Sequence, residues 1–81
     1  MFYKNKKVLV TGAGGLLGSQ VAKMLVEQGA IVRASYRGRE VPSWVGDVES
    51  VKADFMNIED VKKCVKGMDI VFVCSANTSG A

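Results

Sequence analysis

Residues 8–18 read Val-Leu-Val-Thr-Gly-Ala-Gly-Gly-Leu-Leu-Gly, an apolar run that passes through a glycine-rich turn into a helical pattern. Val8, Leu9 and Val10 follow one another without polar alternation, as in a parallel strand covered on both faces. Gly12, Gly15 and Gly18 then fall three apart. Gly12 is free to take the positive φ of a tight turn, Gly15 leaves the helix start open to close approach, and Gly18 lets the helix lie near the strands. A helix start reached without intervening side chains offers unpaired N–H groups and a positive dipole end to an anion, and a diphosphate fits that description. A hydrolase-type phosphate loop is excluded, because Ser19 and Gln20 stand after Gly18 in place of a Gly-Lys-Ser/Thr sequence.

From Leu16 to about Gln28, the residues Leu17, Val21, Met24 and Leu25 recur at helical spacing, and Gly29 stands at the C-terminal cap position. Ala30 to Tyr36 reads as a second strand, and the Gly and Pro punctuation of Arg37 to Ser43 reads as a loop. Val48 to Ala53 is a third, weaker strand suited to a sheet edge. Asn57 is placed to cap a second helix, with Asp60 three residues on in a capping-box-like pattern. Ile58, Val61, Val65 and Met68 mark its expected inner face. Asp69 to Cys74 is another continuous apolar strand. Strands and helices in this alternation require parallel pairing through right-handed crossovers.

Composition narrows the function classes. With 48% hydrophobic and 23% charged residues, the 81-residue chain has the make-up of one folded domain rather than of a disordered or fibrous segment. Such a chain buries roughly two thirds of its unfolded surface, so its stability is slender. No apolar run approaches the ~18 residues needed to span a bilayer, and no membrane association is expected. The net charge of +3 and the cluster Lys4, Lys6, Lys7 come without aromatic interleaving or a nucleic-acid motif, so no nucleic-acid partner is expected. There is no histidine, and Cys64 and Cys74 lack metal-ligand or CxxC spacing, which reads as two buried free thiols and no metal.

The stretch Thr11-Gly12-x-x-Gly15-x-x-Gly18 resembles the fingerprint of the extended and atypical short-chain dehydrogenase/reductases, the NAD(P)-dependent epimerase/dehydratase family. The classical branch places its later glycines differently and would want one at Leu16. The resemblance covers essentially the whole chain, since Asp69 to Ala76 is similar to the family's fourth strand and the small-residue segment after it. It implies an α/β fold: a Rossmann-type parallel sheet with helices on its faces, strand order 3-2-1-4. Residues 1–81 would be the N-terminal part of the NAD(P)-binding domain, without the catalytic segment and the substrate lobe.

By the same resemblance, Gly12, Gly14, Gly15, Leu16, Leu17 and Gly18 form the diphosphate turn. Tyr36 holds the place where NAD-binding members carry an acid for the ribose hydroxyls, and Arg37 follows at once with Arg39 close by. A guanidinium accommodates a 2′-phosphate that a carboxylate would repel, so NADP is the expected cofactor. NAD is the alternative, with Glu40 as a displaced ribose ligand or the two arginines as solvated loop charges. Asp54 and Phe55 correspond to the adenine edge, and Ser75, Ala76 and Asn77 to the segment beneath the riboses. Family catalysis rests on a Tyr-x-x-x-Lys pair. The match at Tyr3 and Lys7 precedes the first strand, at the wrong end of the sheet, so no catalytic residue is assigned.

The resemblance implies a parent enzyme acting by hydride transfer on a nucleotide-linked sugar or another carbonyl or hydroxyl substrate. Met1 to Lys7 lead straight into a short strand rather than a signal-type apolar region, so a cytoplasmic address is expected. Two other readings stay open: a non-enzymatic NADP-sensing regulator, and an oligomeric module without ligand. The strand at 70–73 would leave one backbone edge bare, to be covered by further chain or by a second copy.

Overall fold

Three consecutive residues with no accessible surface, Val8, Leu9 and Val10, place the first strand at the centre of the molecule. The computed structural model describes residues 2–74. The elements run β1 (Lys7–Thr11), α1 (Leu16–Glu27), β2 (Ile31–Tyr36), a short 3-10 turn (Ser43–Val45), β3 (Glu49–Lys52), α2 (Ile58–Val65) and β4 (Ile70–Val73). The sheet is parallel throughout in the order β3-β2-β1-β4, the Rossmann-like arrangement implied by the sequence. In register, Val8 pairs with Val32 and Ile70, and Leu9 with Arg33 and Val71.

The two faces of the sheet are built differently. Against α1, Val8, Val10, Val32 and Ala34 pack with Ala22, Leu25 and Val45, and Tyr3, Ile70 and Phe72 extend the cluster. Against α2, the buried set is Leu9, Ala53 and Cys64, with Val51, Phe55 and Met68 around it. The side of α1 that meets the sheet is only partly the expected one: Leu25 is buried and Val21 packs against the cluster. Leu17 and Met24 are exposed, whereas Gly18, Ser19, Ala22 and Leu25 are buried. The stripe 18-22-25 has the same helical period but is made mostly of small residues, which a close helix-to-sheet approach selects.

A similar partial correction applies to α2, where Met68 packs in the cluster as expected. Ile58 and Val65 are exposed, and Cys64 is the buried position of the helix. Asn57 does cap it, its Oδ1 accepting from the Glu59 N–H at 2.9 Å. The capping box is not closed, because the Asp60 carboxylate accepts instead from the Asp54 N–H at 2.9 Å. Glu59 and Asp60 in the first turn and Lys62 and Lys63 in the last complement the helix dipole.

Arg33 fastens the far end of α2. One of its guanidinium nitrogens donates to the carbonyls of Cys64 (2.8 Å), Lys66 (3.0 Å) and Lys63 (3.3 Å), while Nε donates to Glu49 on β3 at 2.9 Å. Orphan carbonyls at a helix C-terminus are thereby satisfied by a cation projecting from the neighbouring strand. β4 alternates rather than being buried throughout: Ile70 and Phe72 pack on the α1 side, and Val71 and Val73 are exposed on the other.

Candidate functional site

The ends of β1, β2 and β4 open into a cleft of about 260 Å³ lined by Gly12, Gly14, Gly15, Tyr36, Arg37, Gly38, Arg39 and Cys74. It lies at the carboxyl ends of the strands, where open parallel sheets bind ligands. The Ala13 N–H donates to the Ser35 carbonyl at 2.9 Å, tying the glycine turn to β2. The Cys74 N–H donates to the Thr11 carbonyl at 3.2 Å and to its hydroxyl at 3.1 Å, closing the β4 side.

The three spaced glycines are glycine for three different reasons. Gly12 has φ +69°, a left-handed conformation that side-chain-bearing residues adopt with strain. A Cβ on Gly18 would stand 2.1 Å from the Gly12 carbonyl oxygen, so α1 can approach β1 only if this position is bare. Gly15 has neither constraint. Its φ is −86°, and an added Cβ would meet nothing nearer than the Gly12 carbonyl oxygen at 3.5 Å, an ordinary contact. The fold leaves that exposed space empty, directly over the start of α1.

No side chain caps α1, and the first helical hydrogen bond runs from Ser19 N–H to the Gly15 carbonyl at 3.0 Å. The N–H groups of the first turn, Leu16 to Gly18, have no intrahelical acceptor, as at any helix start. The Leu16 and Leu17 side chains point away into solvent and do not line the cleft. A bare glycine beneath an uncapped helix start fits a diphosphate, which needs donors and close backbone approach.

On the opposite wall the charge is positive. Arg37 lies 3.6 Å from Asp54, with both side chains largely exposed, and the Asp54 carboxylate also accepts the Met56 N–H at 2.9 Å. Phe55 turns from the cleft into the small cluster beneath α2. Ser75, Ala76 and Asn77 lie outside the described residues. Tyr3 packs on Phe72 with ring centroids 5.9 Å apart, and Lys7 opens β1 at the other end of the sheet.

Arg39 lines the cleft beside Arg37, and Gly38 and Cys74 line it as well without having been assigned there from the sequence. For Cys74 the signal was its position at the carboxyl end of a strand beside β1. It is half-buried rather than buried, and desolvation pushes its thiol pKa above the ordinary value of 9.0. Among the described residues no group of three His, Cys, Asp or Glu side chains is arranged to hold a metal, and no helix is long and apolar enough to cross a membrane.

With this geometry in view, the chain can be placed among known proteins. A family described as NAD(P)H-binding matches residues 12–81. The chain belongs to this family. It is 39% identical over 69 residues to the 2-alkyl-3-oxoalkanoate reductase of Shewanella oneidensis, covering 85% of this chain and 18% of that protein. It is 34% identical over 76 residues to cinnamoyl-CoA reductase 1 of Arabidopsis thaliana, covering 83% and 22%. The structure of an epimerase from Methanothermobacter thermautotrophicus superimposes with a TM-score of 0.80 at 32% identity, over 94% of this chain and 24% of the other. The chain thus spans 18–22% of the length of the curated relatives it matches. Its cofactor is a nicotinamide dinucleotide, and its relatives are reductases and epimerases.

Proposed function

We propose that this chain is the NADP-binding first half of the coenzyme domain of an oxidoreductase, epimerase or dehydratase. The observation that carries the reading is Gly15, bare where nothing in the fold requires it, above an uncapped helix start. Gly12, Gly15 and the N–H groups of Leu16, Leu17 and Gly18 hold the diphosphate. Arg37 meets the 2′-phosphate where Tyr36 replaces the ribose-binding acid, and Asp54 borders the adenine. Ser75 and Ala76 are assigned beneath the riboses by resemblance alone. When bound, the nicotinamide supplies or accepts a hydride.

The substrate is a carbonyl or hydroxyl compound, with nucleotide-linked sugars as one class. The names of the two reductases favour a carbonyl, since one names an oxoalkanoate and the other an acyl-CoA. Catalytic residues and the substrate lobe belong to a longer polypeptide, in line with the small share of each relative that is matched. Calorimetric titration with NADP and NAD tests this function. Saturable binding with NADP the tighter is expected; NAD binding as tightly would overturn the NADP assignment, and no heat with either coenzyme would overturn the reading.

A further inference from the structure

We propose that Gly14 governs coenzyme choice by seating the loop that carries Arg39, and that Arg39 supplies the uncompensated positive charge for the 2′-phosphate. The inference rests on the NADP reading of the cleft.

Gly14 is buried, and its φ lies outside the left-handed region, so space alone makes it glycine. A Cβ there would stand 1.7 Å from the Arg39 carbonyl oxygen, 2.7 Å from its carbon and 3.3 Å from the Glu40 carbonyl oxygen. These are backbone atoms and cannot yield by rotating a side chain. Any side chain at 14 must lift the 39–40 segment off the turn. A Cβ added to the neighbouring Gly38 would meet nothing within 4 Å, so of the two glycines it is Gly14 whose bareness lets the loop lie close over the turn.

The two arginines on this loop are not equivalent. The charge of Arg37 is answered in part by Asp54 at 3.6 Å. Arg39 lines the same cleft and has no ion-pair or hydrogen-bond partner among the described residues; Glu40, beside it in sequence, is also unpaired. A phosphate dianion gains most from a guanidinium whose charge is not already neutralised. The diphosphate turn and the loop proposed to hold the 2′-phosphate are therefore joined through Gly14.

The test is calorimetric titration of NADP and NAD into the full chain and into Gly14→Ala, Arg39→Gln and the double variant. Each single change is expected to weaken NADP roughly tenfold or more, the scale of one charged hydrogen bond; Arg39→Gln should leave NAD within about threefold, and Gly14→Ala should weaken NAD by a clearly smaller factor than NADP. The double variant should be no worse than the poorer single, because both changes remove the same contact. NAD weakening in step with NADP in Gly14→Ala would overturn the inference, as would unaltered NADP binding in Arg39→Gln. A Gly14→Ala chain that does not fold also counts against it, since the loop would then not be the part that yields. A wild-type chain that binds neither coenzyme would defeat the reading of the cleft itself, a result distinct from variants that bind NADP as the wild type does.

Discussion

The α1 side and the α2 side of the sheet solve the same covering problem by different means. On the α1 side a broad apolar cluster is reached by bringing the helix close, with Gly18 and Ala22 as the stripe that permits it. On the α2 side the buried hydrophobic cluster among the described residues is only Leu9, Ala53 and Cys64, and the helix is secured at its ends by polar groups, Asn57 at the start and Arg33 at the finish. Packing holds one helix and hydrogen bonding the other. The glycine turn proposed to face the ligand belongs to the packed side, where Gly18 brings α1 against the backbone of the β1–α1 connection.

Substitutions on the two sides should separate these modes. Gly18→Ala drives a Cβ into the Gly12 carbonyl and should cost roughly 3 kcal/mol or more, enough to unfold a small domain, as read from denaturant titration. Leu25→Ala, which empties the centre of the α1 cluster, should cost roughly 2–5 kcal/mol by the same measurement. On the other side, Arg33→Met should cost about 1–3 kcal/mol and act locally. Amide exchange should speed up in α2 while β1 and α1 stay protected, and equal acceleration in all three would break the contrast.

The smallest effect is a pH dependence at Cys64. Burial beneath α2 raises its thiol pKa above 9.0, outweighing the opposing charges of Lys63 and Arg33. A thiol whose pKa is raised on folding contributes its full stability below the ordinary value, and that contribution is lost as pH climbs past it. Above pH 9.0 the wild type should therefore lose stability more steeply than Cys64→Ala, while the two curves run parallel below it. The same comparison extends to thiol reagents. Cys74, in the cleft, should alkylate in the native protein and be protected by NADP, whereas buried Cys64 should react only on unfolding.

What could be read from the sequence was what local chemistry dictates. The unbroken run Val8–Val10 and the spaced glycines specify a covered strand, a turn and a helix start within a dozen residues, and the alternation of elements then specifies parallel pairing, the sheet order itself being what the family resemblance implies. The inner faces of the helices were less legible. Hydropathy points to Leu17 and Met24, but close approach selects Gly18 and Ala22, and size is invisible to a count of apolar residues. The role of Arg33 was hidden because its partners are backbone carbonyls about thirty residues away. The burial of Gly14 under the Arg39 carbonyl was hidden for the same reason: the contact joins two loops that are distant in sequence.

The central claim is that Gly15 is bare for a ligand and not for the fold. Calorimetry of Gly15→Val in the full-length protein, paired with its denaturation curve, addresses it most directly. The expected result is a folded protein of near wild-type stability that has lost nicotinamide-dinucleotide binding. Wild-type coenzyme affinity in that variant would contradict the account.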